Sequence, residues 1–334
     1  MKNKIFIKFK KFLKENYGFL ITFVLILIIF NIPTPYEIYT PGGLINLSKR
    51  VEVDDGHKSK GSMNLTYVGA KKGVIPIYLL SYVIPSWDRV SVEDKKIDNE
   101  SYDEVIVRGK IDLKNGNNFS IINAFREAGE KCEIVNTRIM VYHILEDAKT
   151  QLKVGDEIIS VNNIIINNLD DLAEIVAYKN PGDKVTLSVK RKKDIIDVNS
   201  ELIEKDGGII IGIYATKSIE LKTDKKVDFK NNNNESGSSG GLMNSLEIYN
   251  QLNKEDITKG RKISGTGTID IDGNIGEIGG VKYKLMGAYK NKADIFLCPK
   301  ENYEEAMKVK KEKKYKIDVV SVSTLKDAIE YLKK

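Results

Sequence analysis

Two short segments in the C-terminal third of the chain hold a serine and a lysine that together can perform hydrolysis. The first segment, which begins at Glu235, places Ser239 in a run of small residues just before an apolar-periodic stretch that predicts a helix. The second, which begins at Gly265, places Lys282 after a Gly-Gly pair at the head of another such stretch. A serine hydroxyl needs a neighbouring base to become a nucleophile, and a neutral lysine can be that base. The two segments therefore predict a Ser-Lys dyad.

The chain offers no comparable histidine base. Its two histidines, His57 and His143, lie far upstream, and neither is accompanied by a G-x-S-x-G nucleophile elbow. For a lysine to act, its pKa must fall from near ~10.4 to about 7, which burial among apolar groups can achieve. The neighbours of Lys282 are largely apolar, and a position at a helix N-terminus further disfavours the ammonium form.

The residues around the dyad have supporting roles in this interpretation. Gly237, Gly240 and Gly241 let the backbone approach a peptide closely, and N–H groups at the start of a helix can stabilise an oxyanion. Ser238 is a further supporting residue of this loop. Thr266, in a strand-like stretch, is placed to hydrogen-bond the lysine and orient it. A simpler interpretation stays open for each segment taken alone. The serine segment can be only a helix N-cap, and the lysine segment only a turn with a solvated lysine.

The order and spacing of the two segments resemble a known family. From about residue 207 onward the chain looks like the proteolytic domain of Lon-type proteases, and most like the ATP-independent, membrane-anchored, PDZ-containing Lon-like proteases of Gram-positive bacteria. The family's G-P-S-A-G-L motif is matched by Gly237 through Leu242, and its G-x-[IV]-x-x-[IV]-G-G-[LIV]-K motif by Gly273 through Lys282. The resemblance implies that Ser239 is the nucleophile and Lys282 the base.

The serine motif differs from the family's at two positions. Ser238 stands where the family usually has proline, and Gly240 where it usually has alanine. Ser236 and Ser238 therefore remain alternative nucleophiles.

The N-terminus predicts a membrane anchor. The first sixteen residues hold six lysines and one glutamate, and an apolar run follows over residues 17–32. Sixteen helical residues span about 24 Å, slightly less than a hydrocarbon core. A cleaved signal peptide is the alternative, but the chain after Phe30 has no small-x-small cleavage site. Because basic flanks stay in the cytoplasm, we expect an uncleaved single span with the remainder of the chain outside the cell.

Charge and motif content narrow the classes of function. Most of the formal net charge of +6 lies in the basic leader, so nothing predicts nucleic-acid binding. Two cysteines, Cys132 and Cys298, are too few for a disulfide framework, and no metal-binding motif is present. No GxxxxGK[ST] motif appears, so we expect neither a cofactor nor an ATP-driven unfoldase.

The middle of the chain resembles a PDZ domain. An apolar strand is predicted over 137–145, a turn and second strand over 152–162, a helix over 169–178 and an alternating strand over 184–191. PDZ domains bind an extended peptide as an added strand beside a helix. The expected peptide-binding residues are those of the first strand and the facing helix: Arg138, Ile139, Met140, Val141, Tyr142, Leu172 and Val176. No glycine-containing carboxylate loop precedes this strand, which favours internal segments; a structural spacer is the alternative.

The remaining regions complete an α+β multi-domain prediction. A strand near residues 60–68 is expected to pair with the protease domain across the sequence, and a helix over 119–128 ends at Gly129. The end of the chain alternates strand and helix, as an α/β protease core requires. The predicted parts are a basic tail (1–16), a transmembrane helix (17–32), a membrane-proximal α/β segment (34–130), a PDZ-like β-rich domain (131–204) and a Lon-type α/β proteolytic domain (205–334).

Together these features predict an ATP-independent serine endopeptidase at the outer face of a membrane, with PDZ-assisted capture of extended peptides or protein segments. The alternatives are a non-enzymatic PDZ adaptor with an inactive protease fold, and a signal-peptidase-like enzyme that shares the anchor and dyad. The resemblance also implies self-association, since Lon-type domains often form rings.

Overall fold

The structure is a computed structural model that describes residues 2–232 and 235–334 of the 334-residue chain. Its helices are α1 (Lys2–Glu15), α2 (Tyr17–Asn31), α3 (Ile75–Leu80), α4 (Tyr102–Ala128), α5 (Leu169–Ala177), α6 (Gly241–Leu252), α7 (Val281–Lys290), α8 (Lys300–Lys313) and α9 (Leu325–Lys333). The longer strands are β1 (Pro33–Asn46), β3 (Ser62–Val74), β5 (Cys132–Ile144), β7 (Glu157–Val161), β9 (Lys184–Arg191), β10 (Asp194–Glu201), β13 (Ile213–Thr223), β18 (Ile295–Pro299) and β19 (Asp318–Val322). The shorter strands are β2 (Val51–Val53), β4 (Asp88–Ser91), β6 (Lys149–Thr150), β8 (Ile164–Ile165), β11 (Ile203–Lys205), β12 (Gly208–Ile210), β14 (Val227–Phe229), β15 (Lys262–Gly265), β16 (Thr268–Ile269) and β17 (Ile275–Gly276).

The chain divides into two units, one of residues 1–41 and 68–95 and the other of residues 42–67 and 96–334. In the first unit, the first part of β1 pairs with β4 in antiparallel fashion. Helix α2 of this unit contains 15 residues. In the described part of the chain, no single helix is long and apolar enough to cross a membrane. The segments Phe6–Glu15 and Tyr17–Asn31, bent by 77°, pass that test of length and composition only as a pair.

A parallel sheet forms the centre of the C-terminal half. β15 pairs with β18 and β18 with β19, all in parallel, and α7 and α8 lie between these strands in the sequence. Parallel strands need such crossovers, and helices cover their faces. The sheet strand β18 is buried along its whole length, as this architecture requires.

The first part of β3 completes this sheet from far upstream in the chain. Ser62 through Leu65 pair in parallel with Lys262 through Gly265. This is the pairing across the sequence that was expected for the strand near residues 60–68. The side chain of Asn64 donates to the carbonyl of Ile263, and that of Thr66 donates to the carbonyl of Gly265. The residues between these strands, including the whole PDZ-like module, are thus an insertion within the protease fold.

The inserted module is built on a β-sheet with the strand order β13-β5-β7-β9-β10-β6, in which β8 also pairs with β7. Its core packs β-branched and leucine side chains from these strands against α5, including Val141, Leu187 and Val176. The predicted strand over 184–191 and helix over 169–178 are present, the helix one residue shorter.

Helix α4 is much longer than the sequence pattern indicated. It begins with a capping box at Ser101 and Glu104 and runs for 27 residues to Gly129, whose φ of 73° terminates it. The predicted helix over 119–128 is only its last ten residues, because the earlier turns are mostly polar and include glycines. This helix contacts both the inserted module and the protease core, so it is the element that relates the two.

Candidate functional site

Ser239 lies in the turn immediately before α6. Helix α6 begins at Gly241, and Ser239 is half-buried beside its first turn. The carbonyl of Ser239 accepts hydrogen bonds from the backbone N–H of Gly267 at 3.0 Å and from Thr266 Oγ1 at 3.1 Å. These two bonds fix the backbone of the serine against the segment that follows β15.

Two glycines of α4 make room for the serine loop. A Cβ at Gly116 would lie 3.3 Å from the Cα of Ser238, and one at Gly109 would lie 3.0 Å from the Cβ of Ser236. The carbonyl of Gly109 accepts a 2.7 Å hydrogen bond from the N–H of Gly237, which adopts φ of 85°. The polar, glycine-containing part of α4 is therefore a support for the loop, a role that sequence periodicity does not reveal.

Lys284 is the lysine that the structure places in the network around Ser239. It lies in the first turns of α7 and is only 4 % exposed. Its Nζ donates a 2.9 Å hydrogen bond to Thr266 Oγ1, the same hydroxyl that donates to the Ser239 carbonyl. Burial removes the ammonium from water and lowers the pKa of Lys284 to about 8.

Lys282 occupies a different position. It is part-exposed, and its Nζ lies 5.4 Å from the centroid of the Tyr283 ring. The site geometry therefore favours Lys284 in place of the predicted Lys282. The periodicity of α7 contains this information, because Val281, Lys284 and Leu285 share the buried helix face whereas Lys282 lies off it.

The other predicted loop residues have distinct surroundings. Ser236 is exposed, while Ser238 is half-buried against Gly116 of α4. Gly240 is buried, and a Cβ there would lie 3.2 Å from Leu65. Thr266 meets a lysine as expected, although that lysine is Lys284. Of the three serines, Ser239 is the one whose carbonyl is bound to Thr266.

The turn before α6 has backbone donors that no protein group uses. Within the described residues, the N–H groups of Ser239 and Gly240 have no hydrogen-bond acceptor, whereas that of Gly241 donates to the Ser238 carbonyl. Free N–H groups at the start of a helix are suited to binding a developing oxyanion. The N–H of Gly237 is not available for this purpose, since it donates to Gly109.

The predicted PDZ peptide-binding strand is not an open edge. Residues 138–144 belong to β5, which pairs with β13 on one side and with β7 on the other. Ile139 and Val141 are buried in the core of the module, and Arg138 forms an ion pair with Glu220. The hydroxyl of Tyr142 donates to Asp112, and Met140 pairs with Thr216 across the strands. The expected peptide edge along β5 is therefore wrong, because another strand of the chain already occupies it.

The facing helix residues are placed differently from expectation as well. Val176 is buried in the core of the module, and Leu172 packs against that core. Helix α5 lies closest to β12 and β13. The strands beside the helix are thus β12 and β13, of which β13 belongs to the large sheet of the module.

Strand β13 is the edge of the inserted sheet among the described residues. It is preceded by Ile211-Gly212, and Gly212 adopts φ of 85° while its carbonyl accepts from the N–H of Leu145. This is a glycine-containing turn that leads into an edge strand beside a helix. A PDZ domain has its carboxylate loop in such a position, and the sequence shows no such loop before β5. The segment lies beyond residue 204, where the predicted PDZ-like domain ended, so its pattern was missed.

A cavity of about 560 Å³ is lined by both β13 of the inserted module and the serine loop. One wall is formed by β13 at Ala215, Thr216 and Lys217, and by Leu169 at the start of α5. The opposite wall holds Ser238, next to the candidate nucleophile, and the β16–β17 hairpin.

Among the described residues, no group of three or more His, Cys, Asp or Glu is placed to hold a metal ion. Cys298 and Cys132 are not bridged. Burial raises the pKa of the Cys298 thiol to about 12, so it is not a reactive thiolate.

Comparisons with known proteins match two parts of the chain. Residues 116–202 match the PDZ domain family, and residues 233–333 match the Lon protease (S16) C-terminal proteolytic domain. Lon protease of Campylobacter jejuni is 32% identical over 96 residues, covering 28% of this chain and 12% of that protein. Lon protease of Mesomycoplasma hyopneumoniae is 31% identical over 96 residues, covering 29% of this chain and 11% of that protein.

The likeness to these relatives is thus confined to a small part of their length. Among solved structures, the PDZ domain of an SdrC-like protein from Listeria monocytogenes is 20% identical, and the match covers 23% of this chain and 86% of that chain with a TM-score of 0.21. A TM-score at that level carries no structural argument, so the assignment of the module rests on the family match.

Proposed function

Because the chain combines a PDZ domain with a Lon-type C-terminal proteolytic domain, we propose that it is a serine endopeptidase in which Ser239 is the nucleophile and Lys284 the general base. The observation that carries this proposal is the buried hydrogen bond between Lys284 Nζ and Thr266 Oγ1, whose hydroxyl also donates to the backbone carbonyl of Ser239. Matching of residues 233–333 to a proteolytic domain supports a serine protease independently of this geometry.

In the proposed reaction, the neutral amine of Lys284 accepts the hydroxyl proton of Ser239 as Oγ attacks a substrate carbonyl carbon. The backbone N–H groups of Ser239 and Gly240 stabilise the resulting oxyanion. The Lys284 ammonium then gives its proton to the leaving amine, which departs and leaves an acyl-enzyme. Water attacks this ester while Lys284 takes one proton from the water. Collapse of the resulting intermediate returns this proton from Lys284 to Ser239.

We further propose that cleavage does not require ATP. The support for this proposal is that the sequence has no GxxxxGK[ST] motif, the phosphate-binding loop of many ATP-hydrolysing proteins. Substrates would therefore be short or already extended peptides. Addition of ATP and magnesium to the reaction is expected to leave the rate unchanged.

Membrane anchoring remains part of the proposal. It is supported by the six lysines of the leader and by the apolar side chains of α2, which are exposed along the helix. We propose that this region holds the chain on a membrane with the proteolytic domain on the outer side. Ring-like self-association is proposed from the family resemblance only.

The test uses the full chain reconstituted in lipid nanodiscs and offered a library of unstructured peptides, with products identified by mass spectrometry. Wild type is expected to cleave internal peptide bonds, and Ser239→Ala and Lys284→Ala are each expected to abolish cleavage. Peptide binding without cleavage by the wild type would favour the adaptor. Cleavage that survives Ser239→Ala but not Ser238→Ala would move the nucleophile to Ser238.

A further inference from the structure

The first unit contains an apolar segment, residues 74–87, that its own fold leaves largely uncovered. The segment holds no charged residue, although 30% of the residues in the chain are charged. Helix α3 makes up most of its first half, and none of the residues of that helix is buried. An uncharged run that finds no place in a protein core needs some other apolar environment.

Four large apolar side chains of this segment form one exposed patch: Leu79, Leu80, Tyr82 and Val83. Each of them is 48 % to 76 % exposed. The N–H of Tyr82 donates to the carbonyl of Leu79, and that of Val83 donates to the carbonyl of Leu80, so a tight turn holds the four residues together. Single exposed apolar side chains are ordinary, but a contiguous group of them marks an interaction surface.

The start of α3 is bonded to the end of α2. The N–H of Ile75 donates a 3.2 Å hydrogen bond to the carbonyl of Ile32, the residue that caps α2. The hydroxyl of Thr34 donates to the carbonyl of Gly73 beside this point. In α2, every side chain over residues 23–30 is apolar and exposed, which is more than two full turns and therefore every face of the helix. The exposed patch thus continues an apolar surface that begins on α2.

Aromatic rings and cations lie around the exposed patch. Lys71 Nζ is 4.6 Å from the centroid of the Trp87 ring, and the guanidinium carbon of Arg89 is 3.8 Å from that of the Tyr82 ring. The hydroxyls of Tyr78 and Tyr82 are hydrogen-bonded at 2.9 Å. Tryptophan and tyrosine are enriched where a bilayer meets water, and lysine and arginine at that level are attracted to anionic lipids. These side chains favour a lipid surface as the partner of the patch.

We propose that residues 74–87 bind directly to the lipids of the outer leaflet as a second membrane contact beside α2, an inference that rests on the proposed membrane location of the chain. Leu79, Leu80 and Val83 enter the acyl-chain region. The tyrosine and tryptophan rings lie at the level of the headgroups, and Lys71 and Arg89 bind lipid phosphates.

The length of α2 gives this contact a physical role. Its 15 residues span about 22 Å, which is less than a hydrocarbon core of roughly 30 Å. A short span is accommodated by local thinning of the bilayer, at a modest cost for each ångström of mismatch. Apolar side chains inserted beside the end of α2 add lipid contact where the helix itself is too short.

Trp87 is the only tryptophan in the chain, so its fluorescence reports on this segment alone. The full chain is placed in nanodiscs that contain about one-quarter phosphatidylglycerol, with or without phosphatidylcholine brominated near the headgroup end of its acyl chains. We expect bromine to quench Trp87 at least about twofold, since the ring lies at that depth.

Leu79→Glu combined with Val83→Glu is expected to remove more than half of this quenching, because carboxylates resist transfer into the acyl-chain region. Both side chains are exposed, so the substitutions leave the packing of the unit intact. Tyr178→Glu, at a 96 % exposed tyrosine of the inserted module, is the matched control and should leave the quenching unchanged.

Phe23→Trp combined with Trp87→Phe reports on α2 in the same nanodiscs. Bromine that fails to quench Trp87, or quenching that the double glutamate variant retains, would overturn the second contact; quenching at position 23 would then leave the proposed anchor standing. Quenching of Trp87 without quenching at position 23 would support the second contact and defeat α2 as the anchor. Shielding of Trp87 from acrylamide without quenching by bromine would assign the patch to a second copy of the chain and overturn the lipid contact.

Discussion

Two lysines near the start of α7, Lys282 and Lys284, allow a test of the base assignment by pH dependence. Burial lowers the pKa of Lys284 to about 8, so about 9 % of the amine is neutral at pH 7. A lysine with an ordinary value of about 10.5 would be only about 0.03 % neutral at that pH, roughly 300-fold less. The structure therefore predicts that kcat/KM rises with pH to a plateau near pH 9 and has about one-tenth of its plateau value at pH 7.

The assay is steady-state cleavage of a quenched-fluorescent peptide between pH 6 and 10, for wild type and single variants. Lys284→Ala is expected to remove activity at every pH, because it removes the buried amine that donates to Thr266. Lys282→Ala is the matched control two residues away, and it should keep both the rate and the pH profile. An inactive Lys282→Ala with an active Lys284→Ala, or a rising limb centred above pH 10, would refute the assignment.

Three further predictions concern stability and the serine loop. The lowered pKa of Lys284 costs stability at pH values below about 8, and stability rises with pH from there to about 10.5. Lys284→Met should therefore raise the free energy of unfolding at pH 7 by up to about 3 kcal/mol in urea titrations. A free energy of unfolding below that of wild type would argue against a buried ammonium. Burial raises the pKa of Glu247 to about 7, so its contribution is fully present below about pH 4.5 and is lost as pH rises through 7; wild type should lose roughly 3 kcal/mol between pH 5 and 8 that Glu247→Gln does not lose, and parallel pH profiles would contradict this. Gly116→Val should displace Ser238 and lower kcat at least tenfold while circular dichroism stays native, whereas full activity would show that α4 does not support the loop.

The sequence predicted the parts of the site that depend on local pattern. The serine loop, the following helix and Thr266 as the partner of a lysine were all visible in short motifs. The sequence motif predicted Lys282 as the base because it directly follows Gly-Gly-Val, whereas the proposed base is Lys284, which is buried on the α7 face. Which of two nearby lysines is desolvated depends on the elements that pack against α7, and these are α8, β15 and β18.

The PDZ edge could not be located from the sequence because its strand comes from a distant segment. The pattern over 137–145 correctly indicated a strand, but strand periodicity does not tell which neighbour pairs with it. In the structure β13 covers β5, and the open edge moves to residues more than seventy positions later. The length of α4 was hidden for a related reason, since its glycines and asparagines face the serine loop and β13 and not an apolar core.

The pairing of β3 with β15 also sets the timing of folding during synthesis. Residues 62–65 leave the ribosome long before residues 262–265, and at about 5–20 residues per second the wait is about 10–40 s. During that interval β3 has no partner on this side, while the inserted PDZ domain can already form. A fragment starting at residue 205 would lack β3 altogether and leave β15 as an unpaired edge prone to aggregation. The sheet of the C-terminal domain therefore forms only after residues 262–265 have emerged, later than the inserted PDZ domain.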